Sequence, residues 1–309
     1  ELEKVISSGK YDLIADVSTF YHPASAGCKE YVLECVRHYD PSNMYSQEGW
    51  FGILANWGFG YGFIAGPEAS MHYKFNTTSG YSYFNPSKSL YDAFVAEEGA
   101  DGYRLNAWIR TWEQVIAMNI AVNTTTNKYA SEGYFRLKWL ASTDDEFVGY
   151  WCGNQSNTPV IRYADVLLMA AEACLQAGDQ AGADEYLGRV RDRARLPRKS
   201  HVTLSDIKLE RRLELAMEGM RFQDLKRWGD APAVLADKGK KLPTFQIVPD
   251  PNNDLTTAAG IYNARYTTKT TYVDNEKSLA GWTPNRDEWL PFPENELEVN
   301  SNLKQNPGY

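Results

Sequence analysis

Thr158-Pro159-Val160-Ile161-Arg162-Tyr163-Ala164-Asp165-Val166-Leu167-Leu168-Met169-Ala170-Ala171-Glu172-Ala173-Cys174-Leu175-Gln176-Ala177-Gly178-Asp179 opens the one long run, Pro159 to Ala236, where helical period, start signals and stop signals agree. Thr158-Pro159 reads as an N-cap followed by proline at the first helical position. Ile161, Ala164, Leu168, Ala171 and Leu175 recur at steps of three and four and draw one apolar stripe. Arg162, Asp165, Glu172 and Gln176 draw another. Gly178 stops the helix and Asp179 caps the next, whose apolar face is Ala183, Leu187, Val190 and Ala194. So short a connection predicts an antiparallel helical hairpin. A second hairpin follows. Thr203 or Ser205 caps a helix with Leu209, Leu213, Ala216 and Met220 on its buried side. The chain breaks near Gly219, and Phe222, Leu225 and Trp228 continue into a fourth helix.

Working outward, two successive hairpins of this size look like stacked tetratricopeptide-type units. The predicted class is mostly α, with helical hairpins supporting a large loop-rich lobe. The 309 residues carry a net charge of −8, with Lys and Arg scattered rather than clustered. That argues against nucleic acid and against an anionic membrane surface as partner. No apolar run reaches membrane-spanning length. Cys28, Cys35, Cys152 and Cys174 fit neither a disulfide framework nor a zinc site. No cofactor or metal site is predicted. The chain opens on Glu1-Leu2-Glu3-Lys4-Val5, already the end of a helix and without an initiator Met, so an upstream portion is expected.

Tyr31 to Val36 alternates enough for a short strand, and Ser87 to Glu97 reads as a helix with Leu90, Ala93 and Phe94 on one side. Asp101-Gly102-Tyr103-Arg104 reads as a turn. Between strand and helix the chain changes character. Trp50 to Phe84 is 35 residues with 11 aromatics, six glycines, one Glu and one Lys; the 13% average would give four or five aromatics. No regular period is kept, so the stretch reads as an aromatic, glycine-rich loop region. After Gly239 the chain again reads as loop, including Pro249-Asp250-Pro251-Asn252-Asn253-Asp254. No linker divides the sequence, so residues 1–309 are predicted to be one domain with paired hairpins at 159–236.

Ile161 to Ala173 resembles the hallmark helix of the SusD/RagB family. Val190-Arg191-Asp192-Arg193-Ala194, Glu210 to Ala216 and Glu218 to Gly229 resemble its following blocks, in order. Leu290-Pro291-Phe292-Pro293-Glu294-Asn295-Glu296 and Gln305-Asn306-Pro307-Gly308-Tyr309 resemble its C-terminus, and Ser8 to Leu13 a segment from its middle. The resemblance implies a cell-surface, lipid-anchored outer-membrane protein of Gram-negative bacteria. Such proteins capture nutrients, usually oligosaccharides, for a SusC-like TonB-dependent transporter. It also implies an N-terminal helical part beginning at a lipidated Cys, which this sequence lacks; the chain then reads as the larger C-terminal portion.

A sugar ring has an apolar C–H face and a rim of hydroxyls. Flat side chains cover the face, while amides and guanidinium groups meet the rim. Trp50, Trp57, Tyr61, Tyr81 and Tyr83 are the candidate planes; Asn56, Asn85 and Arg104 are the candidate rim contacts. A buried secondary core is the plainer use for any one of these aromatics. The glycines and the lack of period favour a ligand platform for the stretch as a whole. Glu210, Glu214 and Glu218 repel at i, i+4, i+8 unless cations interleave, and Arg211, Arg212, Arg221 and Arg227 are available. These charges read as an interhelical ion-pair network rather than a catalytic site. No catalytic residue is predicted. Asp92, Glu97, Asp101, Asp144, Asp145 and Glu146 are the carboxyls a glycoside hydrolase would draw on, and none sits in a recognisable setting. Peptide capture is the alternative on the same scaffold, and a scaffold for protein partners alone would leave the aromatic stretch unexplained.

Overall fold

The structure, a computed structural model, describes residues 1–36, 63–65, 85–117, 120–122, 132–138, 157–254, 256–257, 259–260, 265–275 and 280–309. In chain order the elements are α1 (Leu2–Ser7), β1 (Tyr31–Cys35), β2 (Phe63–Ala65), α2 (Lys88–Glu98), α3 (Tyr103–Trp108), β3 (Ile109–Thr111), α4 (Trp112–Ala117), β4 (Ile120–Val122), β5 (Tyr134–Arg136), β6 (Thr158–Arg162), α5 (Tyr163–Gln176), α6 (Gln180–Arg193), α7 (Leu204–Glu214), α8 (Met220–Arg227), α9 (Ala231–Val234), β7 (Lys241–Pro249), β8 (Tyr266–Asp274) and α10 (Glu294–Val299). They form two compact units, Glu1–Met217 with Thr244–Thr271, and Glu218–Pro243 with Tyr272–Tyr309.

In the first unit α5 and α6 form the expected hairpin. Gly178 takes φ +80° after the last turn of α5, and the Asp179 carboxylate caps α6 by accepting from the Gly182 amide at 3.0 Å. Leu167, Leu168, Ala171, Leu187 and Val190 are buried between the helices, with Ile207 of α7 and the half-buried Leu2, Val5 and Ile6 of α1 closing the cluster. Each fully buried Leu, Ile or Val contributes about 1.5–3 kcal/mol. Thr203 and Asp206 make a reciprocal capping box at the start of α7.

The predicted helix start at Pro159 is corrected. Thr158–Arg162 is strand, paired antiparallel with β1 so that Tyr31 lies opposite Arg162 and Cys35 opposite Thr158. Proline pushes Thr158 toward extended backbone, and the β-branched Val160 and Ile161 follow it. Arg162 becomes the N-cap but makes no side-chain cap bond, because a guanidinium has only donors and no acceptor for the first amides. Gly219 breaks the chain as expected, at φ +82°; within the first unit α7 packs on α5 and α2, and within the second unit α8 packs on α9. Phe222 on α8 is exposed.

Asp101 to Arg104, expected as a turn, leads directly into α3, with Gly102 at its N-cap. A second cluster forms there. Phe94 of α2, Leu105 and Trp108 of α3, Ile109, Val17, Phe20, Tyr21 and Tyr31 pack with Leu213 and Ala216. The Trp108 indole N–H donates to the Val17 carbonyl at 3.0 Å, so its one polar atom is satisfied. The expected loop after Gly239 contains two nine-residue strands, β7 and β8, hydrogen-bonded to each other. Thr, Tyr and Val dominate β8, which suits a pleated surface. In the second unit the C-terminal tail is stitched back on itself. Tyr309 Oη donates to the Trp289 carbonyl at 3.1 Å, and Gln305 bonds both the N–H and the C=O of Phe292.

Gly133, just before β5, has φ +89°, and a Cβ there would lie 2.5 Å from Cε2 of the buried Phe245. Gly133→Ala is expected to lower stability by about 1–3 kcal/mol, from overpacking plus left-handed strain. A urea titration reads this as a lower midpoint at unchanged slope. An unaltered midpoint would show that Phe245 gives way freely.

Candidate functional site

The aromatic stretch Trp50 to Phe84 runs between β1 and α2. Of the candidate planes and rim groups, Trp50, Asn56, Trp57, Tyr61, Tyr81 and Tyr83 lie outside the described residues. Inside the stretch, Phe63–Ala65 forms β2, which pairs antiparallel with β4, Phe63 opposite Val122. A strand therefore sits in a stretch expected to be all loop.

The two feet of the stretch are well defined. Glu34, near the end of β1, accepts from the Gly27 amide at 2.8 Å through Oε1 and from Asn157 Nδ2 at 3.0 Å through Oε2. Asn157 immediately precedes β6. Strand register places Cys35 opposite Thr158, so the chain leaves β1 beside the point where it enters β6. The β1–β6 register shifts between Tyr31 and Leu33 and again between Leu33 and Glu34. At the other foot, Ser87 caps α2 by accepting from Leu90 N at 3.2 Å, and the Glu132 carboxylate accepts from the first helical amide, Lys88 N, at 2.6 Å. A carboxylate there also suits the positive end of the helix dipole. Tyr91 stacks on Tyr134 with ring centroids 4.5 Å apart, tying α2 to β5.

Asn85 is half-buried and lies just ahead of α2, at this second foot. Arg104 does not join it. Beyond the far end of α2, whose 11 residues span about 16 Å, Arg104 is 0% exposed. Its Nε donates to Glu98 Oε1 at 2.7 Å, and its Nη1 to Glu210 Oε1 at 2.5 Å and Glu214 Oε2 at 3.0 Å. A guanidinium so enclosed cannot meet a sugar rim, and the expectation that Arg104 binds ligand is corrected.

The network behind the site is denser than the sequence indicated. Glu214 receives Arg104, Arg162 and Arg193. Glu30 receives Arg162 and Arg193, and its carboxylate also takes the Ile14 amide at 2.8 Å. Arg191 bridges Glu97 at 2.6 Å and Glu210 at 3.1 Å. Arg211 pairs with Asp165 at 2.7 Å. Lys138 Nζ donates to the carbonyls of Glu214 and Ala216 and lies 3.8 Å from the centre of the Trp108 ring. The network expected for Glu210 and Glu214 is present, but most of its cations come from α3, the N-cap of α5 and α6. Sequence reasoning missed the parts played by Glu30, Glu98, Arg162 and Arg193. The available signal was charge placed next to apolar periodic positions, as at Arg162-Tyr163 and Asp165-Val166.

Burial raises a carboxyl pKa and facing cations lower it. At Glu214 burial is outweighed by Arg193, Arg162 and Arg104, which hold the carboxyl well below the usual carboxylate range. At Glu98 and Glu30 burial prevails and the carboxyls are pushed up, against the pull of Arg104 on the one and of Arg193 and Arg162 on the other. Glu210 and Glu214 side chains are 1% and 0% exposed, so neither faces solvent, where a glycosidic bond would lie. Asp92 is paired with Lys88 at the surface and Glu97 with Arg191 and Lys199. Among the described residues no group of three or more His, Cys, Asp and Glu is placed to hold a metal ion, and no helix is long and apolar enough to cross a membrane.

Fold and site together define a helical-hairpin scaffold that carries an aromatic segment between two pinned feet. Residues 29–309 match the SusD family, and the chain belongs to that family. A SusD-like protein of Bacteroides ovatus is 31% identical over 170 residues, 49% of this chain and 29% of the relative. SusD-like protein P2 of Formosa agariphila is 32% identical over 194 residues, 57% of this chain and 29% of the relative. A laminarin-binding SusD-like protein superposes with a TM-score of 0.67 at 27% identity, over 97% of this chain and 54% of that one. Surface glycan-binding protein A of Bacteroides thetaiotaomicron gives 0.67 at 24% identity, over 99% and 57%. The chain thus spans little more than half of these solved structures, and the matched part is under a third of the curated relatives. The mostly helical fold expected from the sequence is that of these SusD-like proteins.

Glu214→Gln leaves buried arginines short of a counter-charge and is expected to cost about 3–5 kcal/mol. Because the Glu214 pKa is depressed on folding, its contribution is full above the ordinary value of 4.5 and is lost as the pH falls toward the depressed one. Denaturant midpoints measured from pH 7 to pH 3 should fall for the native chain below about pH 4.5 and fall less steeply for Glu214→Gln. Parallel curves would remove Glu214 from the role of principal acid-sensitive pair.

Proposed function

We propose that this chain captures glycan at the bacterial cell surface without catalysis and hands it to a TonB-dependent, SusC-like outer-membrane transporter. The observation that carries the reading is the aromatic segment, poor in charge, set between pinned feet in a member of the SusD family. Trp50, Trp57, Tyr61, Tyr81 and Tyr83 supply planes for sugar faces, and Asn56 and Asn85 supply amides for the rim. The two compact units act together as one SusD-like domain, and a lipid anchor on an N-terminal part holds the whole protein to the outer membrane. The net charge of −8 disfavours sulfated or uronate polymers and favours a neutral glycan. The ligand named for the laminarin-binding relative makes laminarin the first probe.

Calorimetry against laminarin, maltoheptaose, mannan and a mixed peptide library tests this. Saturable binding of one neutral glycan, weakened about tenfold by Trp57→Ala with no release of reducing sugar, is expected. Binding to peptide and to no glycan would transfer the reading to peptide capture. Reducing-sugar release would make the protein a glycoside hydrolase.

A further inference from the structure

Trp289-Leu290-Pro291-Phe292-Pro293, in the second unit, turns apolar side chains to water while its backbone is held from behind. Leu290 is 80% exposed, and Trp289, Phe292 and Tyr309 are exposed as well. Val299, at the end of α10 directly after the segment, is 87% exposed. A single exposed apolar side chain means little, whereas a cluster of large ones marks an interaction surface.

The segment is built to keep this shape. Gln305 Oε1 accepts from the Phe292 amide at 2.8 Å, and Gln305 Nε2 donates to the Phe292 carbonyl at 3.0 Å, the two bonds that a neighbouring strand would make. Asn306 Nδ2 donates to the Leu290 carbonyl at 2.6 Å, and Tyr309 Oη holds the Trp289 carbonyl. Pro291 and Pro293 fix φ at their own positions. A backbone already held in one conformation gives up little freedom when its side chains are covered.

Charge selects among the candidate covers. Glu294, Glu296 and Glu298 are exposed along α10. Arg286 to Tyr309 carries five carboxylate side chains against two cations, and one of those cations, Arg286, is paired with Asp287. A second copy of the chain would bring the same acidic face, and an anionic lipid surface would be repelled in the same way. A glycan would need free amides at its rim, but the Gln305 and Asn306 side chains are spent on backbone, and Leu290 and Val299 offer no flat face. A protein pocket that is apolar inside and rimmed by Lys and Arg complements both the ridge and the carboxylates.

We propose that Trp289, Leu290 and Phe292, flanked by Glu294, Glu296 and Glu298, form the surface on which the TonB-dependent transporter docks, through an apolar, cation-rimmed pocket on its extracellular face. This rests on the transporter reading above. Gln305, Asn306 and Tyr309 are positioning residues that hold the ridge and leave its side chains to the partner.

The whole protein and the purified transporter test this. Leu290→Cys is labelled with a maleimide, and the label is read at that residue by peptide mass spectrometry. Labelling is expected to be fast in the protein alone and about tenfold slower with transporter at about ten times its Kd. Leu290→Ser is expected to bind the transporter about tenfold more weakly, with its glycan titration and denaturant midpoint unchanged. Glu294→Gln, Glu296→Gln and Glu298→Gln combined should lose most of the salt dependence of the native association. Slow labelling in the protein alone would mean that another part of the same protein covers the ridge, and overturns the proposal. Loss of glycan binding in Leu290→Ser with the transporter still bound also overturns it, and makes the ridge a sugar site. Transporter binding that none of these substitutions alters removes this inference alone. A native protein that binds glycan but no transporter removes the transporter reading and this inference together, and leaves glycan capture standing.

Discussion

The Glu214 carboxylate is the constraint on which the first unit depends. It sits with no exposure at the end of α7 and is met by Arg104 from α3, Arg162 from the junction of β6 and α5, and Arg193 from the end of α6. Four pieces of chain distant in sequence can meet at one carboxylate only in one relative arrangement. Buried charge contributes little net stability when compared with apolar packing, but a missing partner is expensive. The effect is selection among packings. Helices whose apolar faces would tolerate some sliding are fixed where every guanidinium has its acceptor. Glu30 extends this to the segment before β1, and Glu210 with Arg191 and Glu97 extends it to α2.

This explains why α5 starts where it does. Arg162 would be a poor N-cap in isolation, since it offers no acceptor to the first amides. The position is dictated by tertiary bonds to Glu30 and to the Glu214 carboxylate and carbonyl. Extending the helix back to Pro159 would break the ladder with β1 and rotate Arg162 off Glu214. Local helical signal loses to a long-range electrostatic one, and Pro159 lies in a strand.

Much of the scaffold was legible because its signals are local. Gly178, Asp179, Thr203 and Gly219 each act within a few residues, through capping bonds or left-handed backbone, and each does what its type predicts. The strand β1 and helix α2 were legible for the same reason. β6, β7 and β8 were not. Pro159, Pro243 and Pro249 are turn and breaker signals when read alone, and only pairing partners elsewhere in the chain make their surroundings strand. The difference at Asp101-Gly102 has a similar cause. Gly102 reads as a turn, yet the amides of Arg104 and Leu105 after it are taken by the Glu98 carboxylate, which starts α3.

The candidate site shows the same limit in sharper form. Arginine is equally suited to a sugar rim and to a buried carboxylate, since both uses draw on the same planar fork of donors. Close to Arg104 in sequence, only Glu98 bears on the choice. What decides is Glu210, 106 residues away, together with Glu214, 110 residues away. Sequence supplies residue types, while burial depends on contacts of that range. The two demands also exclude each other physically: a guanidinium that stabilises an enclosed carboxylate must be dry, and one that meets a hydroxyl rim must be reachable from water. Ligand contacts on this scaffold therefore have to come from segments outside the network.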